Sequence, residues 1–151
     1  YFSIMELVFD HYYFMKEALK EANKAFDLGE VPVGAIFVIQ NQIISRAYNQ
    51  TETLSDITAH AEILAITSAS NFLNSKYLKD GRLYVTLEPC LMCAGALFWS
   101  QISTLVFGAS DFKNGYRLKD NVLHPKTKII QGIMSKESRE LIQKFFKSKR
   151  K

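Results

Sequence analysis

Two short motifs about 30 residues apart hold the side chains best suited to chemistry: His60-Ala61-Glu62 and Pro89-Cys90-Leu91-Met92-Cys93. His60, Cys90 and Cys93 offer one imidazole and two thiolates. Zinc in a catalytic site takes three such ligands and keeps a fourth position open for water. Two thiolates, a neutral imidazole and Zn²⁺ sum to zero charge, and the metal acidifies the water it holds. Glu62 is not needed as a ligand. It lies two residues from His60, close enough to move protons to and from that water. The set reads as a hydrolytic site with one Zn²⁺ per subunit and Glu62 as its catalytic carboxylate.

The surrounding elements must bring the two motifs to one point. A helix is expected from about Cys90 to Gln101, which puts both sulfurs on one face, one turn apart. A helix N-terminus favours negative charge and lowers thiol pKa, and Pro89 suits a first helical position that needs no N–H partner. His60 opens another expected helix, about Thr58–Asn71, whose N-terminus can approach the same point. Upstream, Asp10–Leu28 reads as an amphipathic helix, with Phe14, Ala18, Ala22, Ala25 and Phe26 near helical spacing and Gly29 as its stop. Gly34–Ile39 is apolar throughout, as in a buried strand. Gln40-Asn41-Gln42 turns the chain into an antiparallel strand, Ile43–Tyr48, followed by a polar loop, Asn49–Asp56. Arg82–Thr86, Thr104–Phe107 and Lys128–Gln131 complete a five-strand set. Ala109–Thr127 reads as irregular with one short helix, and Ser135–Lys147 as a closing helix with Ser135 as N-cap. The order α-β-β-α-β-α-β-β-α predicts an α/β fold: three layers, α-β-α, with a mixed five-stranded sheet and helices on both faces.

Composition sets the frame. The 151 residues, 48% hydrophobic and 23% charged, suit a single domain spanning 1–151 with one substantial core. There is no internal repeat or linker. No apolar run approaches the ~18 residues that cross a bilayer, so no membrane partner is expected. The two cysteines, spaced C-x-x-C, exclude a disulfide framework and favour a cytoplasmic protein. Tyr1–Phe9 is apolar but lacks the basic start and cleavage site of a signal peptide. Met5 can be a natural start, leaving residues 1–4 as an expression remnant; that they are native is the alternative. The net charge of +4 comes from the tail: Lys144–Lys151 holds five basic residues and no acid, leaving 14 basic against 15 acidic elsewhere. Such a tail suits phosphate binding or is a solvated, frayed end.

Each motif alone is weak. A lone His is more often packed or on the surface than a ligand. A lone C-x-x-C can be a redox pair, which also follows a strand and opens a helix. Together, H-x-E and P-C-x-x-C form the signature of zinc-dependent nucleobase deaminases. Glu62 would take a proton from water, pass it to a ring nitrogen and later to the departing amine, as hydrolytic loss of ammonia requires.

Longer strings extend the match: Glu30-Val31-Pro32-Val33-Gly34-Ala35, Thr58–Ile63, Leu83–Ala96, Phe107-Gly108-Ala109, and the terminal Phe145-Phe146 with basic residues after it. From about Asp10 to Lys151 the chain resembles the bacterial tRNA-specific adenosine deaminases, members of the cytidine deaminase-like superfamily, which convert wobble adenosine to inosine. The resemblance implies a tRNA anticodon stem-loop as partner and a homodimer. It implies that Asn49 hydrogen-bonds the flipped base, that Val31, Pro32, Val33 and Ala61 line its pocket, and that Glu88 makes a backbone contact. Asp111 and Lys113 would lie near the RNA loop, and Phe145 and Phe146 would cap the anticodon-loop side, where aromatics stack on unpaired bases. The bland readings are a turn for Asn49, a strand entry for Val31–Val33, an exposed loop for Asp111 and Lys113, and core for at least one of the two Phe.

The chain departs from that family in two places. Asn114-Gly115-Tyr116-Arg117-Leu118-Lys119-Asp120 replaces a longer Gly-Ser-containing loop. Trp99 stands where guanine deaminases of the superfamily often carry Trp, although mid-helix it reads as core. The alternatives are therefore a deaminase of a free base or nucleoside, guanine or cytosine, which needs no basic tail, and a binding protein with structural zinc, in which Glu62 only packs.

Overall fold

The computed structural model describes residues 4–149, with side chains from residue 11 onward. Residues 1–3, where most of the remnant expectation falls, and Arg150 and Lys151 of the basic tail lie outside the described residues. The elements are α1 (Ile4–Asp27), β1 (Gly34–Ile39), β2 (Gln42–Tyr48), α2 (Ala61–Leu73), β3 (Arg82–Leu87), α3 (Leu91–Ser100), β4 (Thr104–Ala109), a 3₁₀ turn (Tyr116–Leu118), β5 (Lys128–Gln131) and α4 (Ser135–Lys149).

The five strands form one sheet in the order β2-β1-β3-β4-β5. β1 runs antiparallel to both β2 and β3, while β3–β4 and β4–β5 are parallel. Gln40 and Asn41 both take positive φ, 49° and 61°, as a two-residue hairpin turn matched to strand twist requires. The period-2 alternation of the inner strands sorts the core into two layers. Ala35, Phe37, Leu83, Val85, Leu105 and Phe107 face α2 and α3 through Ala61, Ala65, Ala94 and Leu97. Ile36, Val38, Tyr84 and Val106 face the other way, onto Phe14, Met15 and Ala18 of α1. α4 packs beside α1 on that second face, with the Phe145 ring against Phe26. The expected mixed sheet with helices on both faces is what the chain adopts.

Local chemistry sets the ends of these elements. α1 closes in a Schellman cap: Gly29 takes φ 78°, its N–H donates to Phe26 O, and the Glu30 N–H donates to Ala25 O at 2.9 Å. Gly34 is required where β1 meets α1, because a Cβ there would sit 2.1 Å from Ala18 O. α2 begins later than expected because Asp56–His60 bonds within itself, Ala59 N–H to Asp56 O and His60 N–H to Thr58 O. Ser135 is not the N-cap of α4; it is the first helical residue, and Met134 (φ 57°) accepts the first helical bond, from Ser138. Trp99 is not core. It is 74% exposed on the outer side of α3. Among the described residues, no helix is long and apolar enough to cross a membrane.

Candidate active site

The parallel strands β3 and β4 deliver their carboxyl ends to one edge of the sheet, the side on which open α/β sheets bind ligands. Two helix N-termini converge there. His60 is the N-cap of α2 and Cys90 the N-cap of α3; both are extended (φ −73°), and neither side chain caps its own helix. Residues at these positions ordinarily bond back to the helix. Here both point to a shared centre instead, which Cys93 reaches from the first turn of α3. His60 Nδ1 lies 3.6 Å from Cys90 Sγ and 3.5 Å from Cys93 Sγ. All three ligand atoms lie within 4.8 Å of one another.

These separations fit a tetrahedral ion. Zn–N near 2.05 Å and Zn–S near 2.3 Å at tetrahedral angles give an N···S edge of ~3.6 Å. The electrostatics agree. The hydrogen bond from Cys93, followed by His60, draws the Cys90 thiol down to about 4 against burial, while the same bond and burial push Cys93 up. Both thiols give up their protons when a dication binds. The bond to Cys90 raises His60 above the usual imidazole range. Glu62, in the first turn of α2, is buried, and burial pushes its carboxyl up to about 7. A carboxyl poised near neutrality beside a ligand cluster is suited to both taking and giving a proton.

Above this floor opens a cavity of about 270 Å³, just below the ~300 Å³ where small-molecule pockets begin. Val31, Val33, Leu87 and Ile57 form its apolar walls, with Asn49, Thr51, Ala61, Glu88, Asp111 and Asn114 around them. Asn49 is buried; its amide donates to Val31 O at 3.2 Å and its Oδ1 accepts from the Thr51 N–H at 3.3 Å. It is therefore a turn residue and a wall residue at once. Pro32 is buried between Val31 and Val33 and is not among the residues lining the cavity.

Glu88 ties the neighbouring loop to the site. Its carboxylate accepts the Asp111 N–H at 3.0 Å, the Arg117 N–H at 3.1 Å and the Arg117 guanidinium at 2.9 Å. Burial alone would raise this carboxyl, but Arg117 and the backbone donors hold it below the usual range. Gly115 is obligatory beneath it, since a Cβ there would sit 2.2 Å from Glu88 Oε2. Arg117 also reaches Ser110 Oγ at 2.7 Å and Gln131 Oε1, and lies over the Phe107 ring. Asp111 folds its own loop, accepting from the Lys113 and Asn114 N–H groups. Lys113 and Asp111 line an adjoining groove with Phe112, Arg139, Ile142 and Phe146. Phe146 faces this groove, while Phe145 does not; it is buried between α1 and α4. Sequence reasoning missed Arg117, Thr51, Ile57, Leu87 and Asn114 as site-forming residues. Of these only Leu87, inside the string Leu83–Ala96, carried a signal in the sequence.

Comparison with known proteins agrees with this geometry. Residues 9–109 match the cytidine and deoxycytidylate deaminase zinc-binding region. A tRNA-specific adenosine deaminase of Aquifex aeolicus is 48% identical over 91% of this chain and 95% of its own length. That of Bacillus subtilis is 42% identical over 91% and 89%. A solved structure from work on A-to-I editing by tRNA:A34 deaminases superposes with a TM-score of 0.80 at 39% identity, covering 85% of this chain and 98% of that one. A guanine deaminase of Nitrosomonas europaea shares the fold, with a TM-score of 0.78 at 21% identity, over 89% of this chain and 83% of that one.

Proposed function

Because the chain belongs to the tRNA-specific adenosine deaminases, within the cytidine and deoxycytidylate deaminase zinc-binding family, we propose that it hydrolyses the wobble adenosine of a tRNA anticodon loop to inosine and ammonia. The observation that carries this reading is the convergence of His60, Cys90 and Cys93, at tetrahedral spacing, beside the buried Glu62 at the floor of a pocket sized for one base.

His60, Cys90 and Cys93 hold one zinc per subunit, which when bound supplies Lewis-acid activation of water. Glu62 takes the first proton from the attacking water and delivers it to N1, beside the carbon being attacked. It then moves the second proton from the new C6 hydroxyl to the amino group, which leaves as ammonia. Adenosine and water are consumed, and inosine and ammonia are formed, with Glu62 restored. Val31 and Val33 sandwich the flipped base against Ile57, and Asn49 fixes its edge. A loop base is already partly unstacked, so extruding it costs little. Asp111, Lys113 and Phe146 meet the flanking RNA, and Lys144, Lys147 and Lys149 supply phosphate contacts. The Trp99, Phe72 and Tyr77 side chains, exposed on and beside α2 and α3, are covered by a second copy in a homodimer, which works in the cytoplasm with its tRNA.

The test offers zinc-loaded protein an anticodon stem-loop with adenosine at the wobble position, and free guanine, cytosine and adenosine in parallel. Inosine in the RNA with inert free compounds supports the reading. Turnover of a free base with inert RNA overturns it in favour of nucleobase salvage.

A further inference from the structure

The segment between β2 and α2 carries two walls of the pocket, Thr51 and Ile57, and leads directly into His60. Its base is closed by Gln50 N–H to Ala59 O at 2.9 Å. Its other end is held by the Glu30 side chain, beside Asn49, whose Oδ1 accepts the Thr51 N–H. Glu30 Oε1 accepts the Glu52 N–H at 3.0 Å and the Thr51 hydroxyl at 3.5 Å. Oε2 accepts the Thr53 N–H at 2.6 Å and the Thr53 hydroxyl at 2.7 Å. Glu30 is 1% exposed, and no Lys or Arg pairs with it among the described residues. Its own backbone is fixed by the Schellman cap of α1, and Val31, on the facing wall, follows it directly. One carboxylate therefore connects a rigid helix end to both sides of the pocket.

We propose that Glu30 is a positioning residue for the deamination: by latching Thr51–Thr53 to the end of α1 it sets the gap between Ile57 and Val31–Val33 that receives the flipped base. The inference rests on the function proposed above for that pocket. Glu30 touches no reacting atom and acts through the loop it holds. The latch is specific for a carboxylate of this length. Both oxygens receive a backbone N–H, so the NH₂ of a glutamine would face a donor, and an aspartate is one methylene short.

The test uses the full zinc-loaded chain as Glu30→Gln, which keeps the shape, and as Glu30→Ala. In both, the Glu52 and Thr53 amides should exchange with solvent at least about tenfold faster, as expected when roughly one hydrogen bond's worth of protection is lost. The Leu64 amide inside α2 should not change. On the stem-loop, KM should rise by about tenfold with kcat within about threefold, the pattern of lost binding rather than lost chemistry. Ile57→Ala alone should raise KM in the same way, and adding Glu30→Ala should raise it no further, because both act on one wall. Unchanged exchange at Glu52 and Thr53, unchanged KM in Glu30→Gln, or effects of Ile57→Ala and Glu30→Ala that multiply would each overturn the proposal. If the wild-type chain forms no inosine, the function reading fails; the exchange measurement still reads the latch separately.

Discussion

The floor and the rim of the pocket are held by different means. His60 and Glu62 reach the floor from the start of α2, and Cys90 and Cys93 from the start of α3, so four reactive side chains ride on two packed helix ends. The rim consists of two loops, 49–59 and 110–117, each tied down by one buried carboxylate that collects backbone N–H groups, Glu30 on one side and Glu88 on the other. The floor positions atoms by packing, which tolerates little displacement. The rim positions walls by hydrogen bonds to chain that is otherwise exposed: Ile57 is 83% and Phe112 82% accessible. On the proposed function, chemistry resides where the structure is stiff, and substrate fit where a few bonds set the spacing.

The largest test of this division is Glu62→Gln. General acid–base catalysis contributes roughly 10²–10⁴ in rate, and the variant should lose that much in kcat. Bound zinc and stem-loop affinity should match wild type, measured by metal analysis and by RNA binding. A Glu62→Gln protein that still turned over at more than a tenth of the wild-type rate, an order-of-magnitude bound, would remove Glu62 from the proton path and blur floor into rim.

Next in size is the split between two adjacent aromatic residues. Phe145→Ala should cost about 3–5 kcal/mol of stability, as for a buried Phe, read by urea unfolding. Phe146→Ala should leave stability within about 0.5 kcal/mol and weaken stem-loop binding by about 1–3 kcal/mol, the worth of one stacked base. The reverse pattern would place Phe145 in the RNA site and Phe146 in the core.

The same pair shows what the sequence could and could not say. Aromatic residues at the end of a basic amphipathic helix are legible as an RNA contact or as core, but which of two neighbours faces inward depends on a rotation of ~100° per residue that only packing fixes. The floor was legible because its ligands are set by local spacing: Cys90 and Cys93 share a turn, and His60 and Glu62 share a helix start. β1 was legible to its ends because an unbroken apolar run bounded by turn residues is also a local signal. The rim was not. Glu30 finds its partners 21 to 23 residues away, and Arg117 reaches Glu88 across 29; neither separation leaves a periodic trace. Trp99 was misplaced because mid-helix position alone does not tell which face meets the sheet.

The two rim carboxylates differ in a testable way, because Glu88 has a cation and Glu30 has none among the described residues. Arg117→Ala should cost about 1–2 kcal/mol, below the loss for a fully buried pair because the guanidinium is partly exposed. It should also raise KM for the stem-loop more than it lowers kcat. A loss confined to stability would make loop 110–117 scaffold rather than rim.

The smallest effect concerns acid. Burial alone would raise the Glu30 carboxyl, but donation from Thr53, Glu52 and Thr51 outweighs it and holds the group below its ordinary value of 4.5. A carboxyl lowered on folding contributes stability that is complete above that ordinary value and is lost as pH falls through the folded one. Protonated Glu30 presents one carbonyl and one donor, the same asymmetry as glutamine. The stability gap between wild type and Glu30→Gln should therefore be about 1 kcal/mol at pH 7, hold to about pH 5, and close below the folded-state value. Acid release of zinc affects both proteins alike and cancels in the difference. Urea unfolding of the pair at pH 7, 5, 4 and 3 reads it directly. A gap independent of pH would mean that the charge of Glu30 does not hold loop 49–59, leaving only the Glu88 rim held by charge.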